Sequence, residues 1–226
     1  MVLPAPPLAT VAVAGTRARF PVRRILCVGR NYAAHAREMG RDPDREAPFF
    51  FLKPADAVVE DGATIPYPPE TENLHYEIEL IVAIGKGGSD IPVERALDHV
   101  YGYGVGIDLT RRDLQLAARA QGRPWDWGKG FDLSAPIAPL HPVPAVGHPS
   151  SGRIWLAVNG QVKQDSDIAA LIWPVPDIIA IASRSMVLQP GDIIMTGTPE
   201  NVGPIQRGDT VTGGIDGLGE IALHVA

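Results

Sequence analysis

Hydrophobic residues recur at a spacing of two along much of this chain, which predicts half-buried strands rather than long amphipathic helices. The sharpest case is 74–85, read as one strand that turns Glu77 and Glu79 to one face and aliphatic side chains to the other. Further apolar strands are predicted over 23–29 and 49–54, with short ones within 11–20 and about Thr64 and Ile65. Residues 153–164 make the clearest hairpin, turned by Asn159 and Gly160. A strand over 193–199 runs into a loop, and the chain finishes in short strands up to Val225. Between 101 and 108, Gly102, Gly104 and Gly106 would leave one strand face bare, which permits close approach of backbone or ligand.

Helical patterns are few. One covers 30–40 and stops at Gly40. A second opens at Pro92, with Val93, Leu97 and Val100 as its core stripe. A third follows Asp108 through Ala118, and a fourth spans 176–186, burying Ile178, Ile179, Ala182 and Met186. Residues 41–48 are charged and turn-rich, suited to a mobile lid. The proline-rich stretch 135–151 is expected to be a structureless crossing loop, and 122–132 an aromatic, glycine-rich loop in which Trp125 and Trp127 act as packing anchors.

Composition sharpens this into a mostly β domain. The 22 prolines and 24 glycines among 226 residues are scattered, as many short strands and turns require. A net charge of -6 with dispersed basic residues excludes a nucleic-acid footprint, and no run reaches the length of a membrane span. The single cysteine, Cys27, excludes an internal disulfide framework and fits a reducing, cytoplasmic setting. The first residues are apolar but carry no positive charge before Arg17, so they read as an arm or edge strand and not a signal peptide. The expected division is an arm over 1–20 and one catalytic domain over 21–226.

Charge on an apolar strand needs a partner, because a buried carboxylate is costly unless paired, hydrogen-bonded or bound to metal. From 74–85 alone, a metal site and an acidic face turned to water both remain open. Asp108, at a strand end before polar turn residues, would complete a three-carboxylate, all-oxygen site suited to Mg²⁺ or Mn²⁺. His35 and Glu38 stand three apart on one helix face, as either a general-base pair or an exposed surface pair. Lys129 is either a solvated loop residue or a fixed cation for a developing negative charge. The loop at Thr198 offers a hydroxyl and backbone donors to an anion.

Several segments together resemble the fumarylacetoacetate hydrolase family. They are Gly29-Arg30-Asn31-Tyr32-Ala33-Ala34-His35, Phe51-Leu52-Lys53-Pro54, His75-Tyr76-Glu77-Ile78-Glu79-Leu80, Asp108-Leu109-Thr110-Arg111-Arg112-Asp113-Leu114-Gln115, Lys129, and Gly191-Asp192-Ile193-Ile194-Met195-Thr196-Gly197-Thr198-Pro199. They occur in family order over 23–225. The chain is similar to the short acylpyruvate hydrolases of that family, and 171–179 resembles fumarylpyruvate hydrolases of bacterial gentisate breakdown.

This resemblance implies an α+β fold, mostly β: a mixed β-sandwich roll with short helices and a lid helix, assembled as a homodimer. It implies Mg²⁺ or Mn²⁺ on Glu77, Glu79 and Asp108, and catalysis by His35, Glu38 and Lys129. It places Arg30, Tyr32, Arg112, Gln115 and Thr198 along the substrate. Where family members frequently carry a small hydroxyl residue after Lys-Pro this chain has Ala55, which removes any hydrogen bond there. The implied activity is hydrolysis of the carbon–carbon bond of an acylpyruvate, fumarylpyruvate foremost. The rivals are oxaloacetate decarboxylation or 2-oxo acid isomerisation on the same site, and a non-catalytic dicarboxylate-binding protein.

Overall fold

The computed structural model describes residues 2–33 and 47–226. His35, Glu38 and most of the expected lid therefore lie outside the described residues.

An eight-stranded mixed sheet organises the molecule. Its order is β4 (Phe49–Lys53), β3 (Arg24–Gly29), β15 (Asp192–Met195), β8 (Ile78–Ile84), β9 (Val100–Ile107), β11 (Ala135–Ile137) and β5 (Val58–Glu60), with β12 (His141–Pro142) also paired to β9. A five-stranded sheet runs β14 (Gln161–Asp167), β13 (Arg153–Val158), β17 (Thr210–Ile215), β18 (Gly219–Val225) and β6 (Ala63–Ile65). Smaller sheets join β10 (Thr110–Arg111), β7 (Leu74–Tyr76) and β16 (Gly203–Ile205), and pair β1 (Thr10–Ala12) with β2 (Arg19–Pro21). With the short helices this is the expected α+β, mostly β class.

Every residue of β8 is buried. Its even positions, Ile78, Leu80, Val82 and Ile84, join the large core with Ile154, Leu156 and the helix Val175–Ser185. Its odd positions Ile81 and Ala83 join a second core with Ile25, Cys27, Ile193 and Met195, closed by Val11, Val13 and Phe20 of the N-terminal hairpin. Glu79 shares that second face, so the acidic end of the strand faces an interior and not water.

The expected single strand over 74–85 is two. β7 pairs with β10 and β16, whereas β8 pairs with β9 and β15, and Glu77 is the joint between them. The neighbouring strand switches sheets at the same level, since β9 ends at Ile107 and β10 begins at Thr110. The Asp108 N–H donates to Glu77 O at 2.8 Å across the joint. Two carboxylates are thus set side by side where the ladder opens.

Other expectations change too. Residues 135–151 are not structureless: they supply β11, β12 and a helical turn over Val143–Val146, strands short enough that a proline costs few ladder bonds. This segment explains the glycines of β9. A Cβ at Gly102 would stand 2.4 Å from His141 O, and one at Gly106 would stand 3.2 Å from Pro136 O as well as 2.5 Å from Ile81 Cδ1 of β8, so the bare face accepts the protein's own chain. The segment from Pro92 is a 3₁₀ helix over Val93–His99 whose period of three puts Ala96 and His99 on its buried side, with Leu97 and Val100 only partly buried against the core and Val93, at its first position, exposed. The hairpin turn forms as expected, with Asn159 and Gly160 both at positive φ.

Candidate metal centre and active site

The two sheet-switching joints and the start of β8 bring Glu77, Glu79 and Asp108 together. All three are buried, and one oxygen from each lies within 4.8 Å of the others. The Glu79 carboxyl is pushed well above the usual carboxylate range, first by burial and then by the charges of Asp108 and Glu77, against the pull of Lys129 and the Gly197 N–H. That N–H donates to Glu79 Oε2 at 2.7 Å, so the Thr198 loop anchors the triad.

Three buried cations answer the three carboxylates. Lys129 Nζ donates to Glu77 Oε2 and Asp108 Oδ2, each at 2.7 Å. Burial alone would lower its pKa, but Asp108 and Glu77 outweigh that and raise it. Arg112 holds Glu77 Oε1 and Gln115 Oε1, while its Nε donates to His75 Nδ1 at 3.3 Å. His75 therefore accepts at Nδ1, and burial followed by the Arg112 charge lowers its pKa to about 4. Lys53 Nζ bonds to the carbonyls of Leu109, at 3.0 Å, and Lys129, and lies 2.8 Å from Asp108 Oδ1. Close as that ion pair is, Asp108 Oδ1 accepts no hydrogen bond among the described residues.

These observations fit a small divalent cation. The donors are all carboxylate oxygens, one of them carries unused lone pairs, and Glu79 needs positive charge nearby to ionise. A space of about 30 Å³ beside Glu77 and Glu79 is bounded by Arg112, Gln115, Lys129 and Thr198. It opens through shared walls, Arg30, Phe51, Trp125 and Lys129, to an outer chamber of about 550 Å³.

Of the remaining sequence candidates, Arg30, Gln115 and Thr198 fall on these walls, whereas Tyr32 lines neither space. Arg30, at φ 58°, borders both spaces with its guanidinium 5.0 Å from the Phe49 ring. Tyr32 is buried, its hydroxyl has no hydrogen-bond partner among the described residues, and burial with the Glu79 charge raises its pKa. Gln115 sits on the helix Arg112–Ala120, against which the turn Asp126–Lys129 packs so closely that a Cβ at Gly128 would stand 2.9 Å from Gln115 N. Lys129 is thereby carried into the site and is no solvated loop residue.

The two tryptophans are not both anchors. Trp127 is 81% exposed, whereas Trp125 packs edge-on to Phe49 at 5.2 Å and lines the chamber. Sequence reasoning also missed Lys53, Asn31 and Gln164. Asn31 Nδ2 donates to Thr196 O at 2.8 Å and Trp173 O at 2.9 Å, fixing the Arg30–Tyr32 turn to the Thr198 loop. Gln164, the inward polar residue of β14, donates to Thr198 Oγ1 at 3.0 Å and Pro199 O at 2.8 Å, and accepts from the Ile78 N–H at 3.1 Å. Neither carried a local signal, since Gln164 stands in a polar strand, Gln161–Asp167, and Asn31 follows Gly29 and Arg30 at a strand end.

A curled mixed sheet that presents three buried carboxylates to an aromatic chamber defines an α+β protein built around an acidic, metal-ready cleft. The chain belongs to the fumarylacetoacetate hydrolase family: its residues 24–226 match the fumarylacetoacetate (FAA) hydrolase C-terminal model. It is 56% identical to the fumarylpyruvate hydrolase of Pseudomonas aeruginosa, whose crystal structure is in complex with Mn²⁺ and pyruvate; the match has a TM-score of 0.97 over 99% of this chain and 98% of that one. A fumarylpyruvate hydrolase of Ralstonia sp is 48% identical over 189 residues, 83% of this chain and 98% of that protein. The mitochondrial oxaloacetate tautomerase of Arabidopsis thaliana is 43% identical over 202 residues, 89% and 90% of the two chains.

Proposed function

We propose that this chain is a metal-dependent enzyme that hydrolyses the carbon–carbon bond of an acylpyruvate, with fumarylpyruvate as substrate and fumarate and pyruvate as products. The observation that carries it is the buried Glu77, Glu79 and Asp108 cluster at the floor of an aromatic chamber. The Mn²⁺ and pyruvate named for the Pseudomonas aeruginosa structure support both the ion and the product.

Glu77, Glu79 and Asp108 would hold Mg²⁺ or Mn²⁺, which when bound supplies Lewis acidity to the oxygens of the 2-oxo acid. His35, oriented by Glu38, takes a proton from the water that adds to the acyl carbonyl. The bond between that carbonyl and the pyruvate methylene then breaks, its electron pair leaves as pyruvate enolate, and a proton returned to carbon completes pyruvate. The Lys129 ammonium faces the charge that develops on the departing enolate. Arg112 and Gln115 line the pyruvate end, with Arg30 beside the acyl arm and the buried Tyr32 on the Glu79 side of the substrate. Thr198 Oγ1 accepts from Gln164 and so keeps its own proton to donate to the substrate carboxylate. The protein works as a cytoplasmic homodimer, with residues 1–20 as an arm on one catalytic domain over 21–226; light scattering checks the dimer.

The test is loss of diketo absorbance with formation of fumarate and pyruvate when fumarylpyruvate is supplied with Mg²⁺ or Mn²⁺; no turnover under either ion sinks the proposal. The Arabidopsis thaliana relative favours a second activity, tautomerisation of oxaloacetate. Comparative rates on fumarylpyruvate and oxaloacetate decide which is primary.

Among the described residues no helix is long and apolar enough to cross a membrane.

A further inference from the structure

The outer chamber is not electrically uniform. Among the described residues its walls are aromatic, from Phe49, Phe50, Phe51 and Trp125, and the cations bordering it are Lys129, Arg30 and Arg123, with Asp126 as the one carboxylate. Lys129 is committed to Glu77 and Asp108 at the inner end, and Arg30 lies over Phe49. The Arg123 guanidinium makes no hydrogen bond or ion pair among the described residues.

Its backbone, by contrast, is held firmly. The helix Arg112–Ala120 ends at Gly122 in the left-handed region, φ 63°, with Gly122 N–H donating to Arg119 O at 3.2 Å and Arg123 N–H to Ala118 O at 2.9 Å. This is the paired 5→2 and 6→1 closure of a Schellman turn. The same helix carries Arg112 and Gln115 at its other end, so one rigid element places polar groups at the inner site and the exposed Arg123 at the rim of the outer chamber, where it also borders a second cavity of about 750 Å³ beside Trp127.

Resting on the acylpyruvate proposal, we infer that Arg123 is the specificity-determining residue that reads the far end of the substrate and selects acyl arms ending in a carboxylate. A flat conjugated arm lies between the aromatic walls, and its terminal carboxylate meets a planar fork of donors that no group among the described residues claims. Arg30, nearer the inner space, guides the arm and does not set this preference.

The test uses the Mn²⁺-loaded protein and two ligands without a 1,3-diketone, 2-oxoheptanedioate and 2-oxoheptanoate, which differ in the terminal carboxylate and are not cleaved. Calorimetry on wild type should show a preference for the diacid of about tenfold, the low end of a charge-assisted hydrogen bond at a solvent-facing site. Arg123→Gln should bring the two affinities within about twofold, Arg123→Lys should restore part of the difference, and Arg30→Gln should retain it. Equal affinities in wild type, a preference surviving in Arg123→Gln, or a preference lost only in Arg30→Gln overturns the inference. Absent turnover of fumarylpyruvate, in contrast, removes the hydrolase proposal while leaving this binding preference to stand or fall by itself.

Discussion

Three carboxylates within 4.8 Å of one another are tolerable in a protein interior only because Lys53, Lys129 and Arg112 stand against them. A divalent ion adds to that balance, so the residues that would bind it and the residues that would use it are coupled. Glu77→Ala or Glu79→Ala should lower Mn²⁺ affinity and hydrolytic rate together, by about 100-fold or more. Mn²⁺ titration followed by rate measurement on the same sample checks this, and full activity without bound metal in either variant would contradict it. The two glutamates were legible as a pair because residues two apart share a strand face. Lys53 was not, since a lysine closing an apolar strand reads locally as the point where the chain meets water. Its burial comes from Asp108 and the Leu109 carbonyl, more than fifty residues away.

At the scale of elements, β9 and the helix Arg112–Ala120 carry the clearest consequences. A Cβ at Gly102 would meet the His141 carbonyl at 2.4 Å, an obstacle of backbone, whereas one at Gly104 would meet the Leu140 Cδ2 at 3.1 Å, the end of a flexible side chain. Gly102→Ala should therefore destabilise by about 3 kcal/mol and Gly104→Ala by about 1 kcal/mol, read by urea unfolding. At the helix start, Asp113 accepts from Thr71 Oγ1 at 2.6 Å, from Leu114 N–H at 2.9 Å and from Glu72 N–H at 3.0 Å. Burial would raise its pKa, but these bonds prevail and lower it. A carboxylate depressed in the folded state contributes stability above its unfolded pKa and loses it as pH falls through the folded one. Asp113→Asn should thus cost about 1 kcal/mol near neutrality, discounted for exposure, with the cost vanishing in acid once the carboxyl is protonated in the folded state. An equal cost at both pH values would show that the charge is irrelevant.

For the molecule as a whole, the triad ties sheets together. Glu77 joins β7 to β8, Asp108 joins β9 to β10, and Glu79 holds the loop after β15 through Gly197. An ion bound by all three should stabilise the native state alone. Mn²⁺ at 100 times its dissociation constant should contribute about 2.7 kcal/mol. For a chain of this size that raises Tm by roughly 5–10 °C, reversed by a chelator. Thermal scans with and without Mn²⁺ check it, and an unchanged Tm would place the ion elsewhere.

By itself the sequence determined the strand-rich class, the Asn159-Gly160 hairpin, the helix near the C-terminus and the residues from which a metal site could be made. Periodicity and turn chemistry are local, and both survive without knowledge of the partners. Only the tertiary structure decided that the 74–85 strand breaks at Glu77, that both faces of β8 are covered, and that the bare face of β9 receives the 135–142 segment. Those outcomes depend on pairings between distant segments. A local pattern says which face is apolar; it does not say what lies across from it.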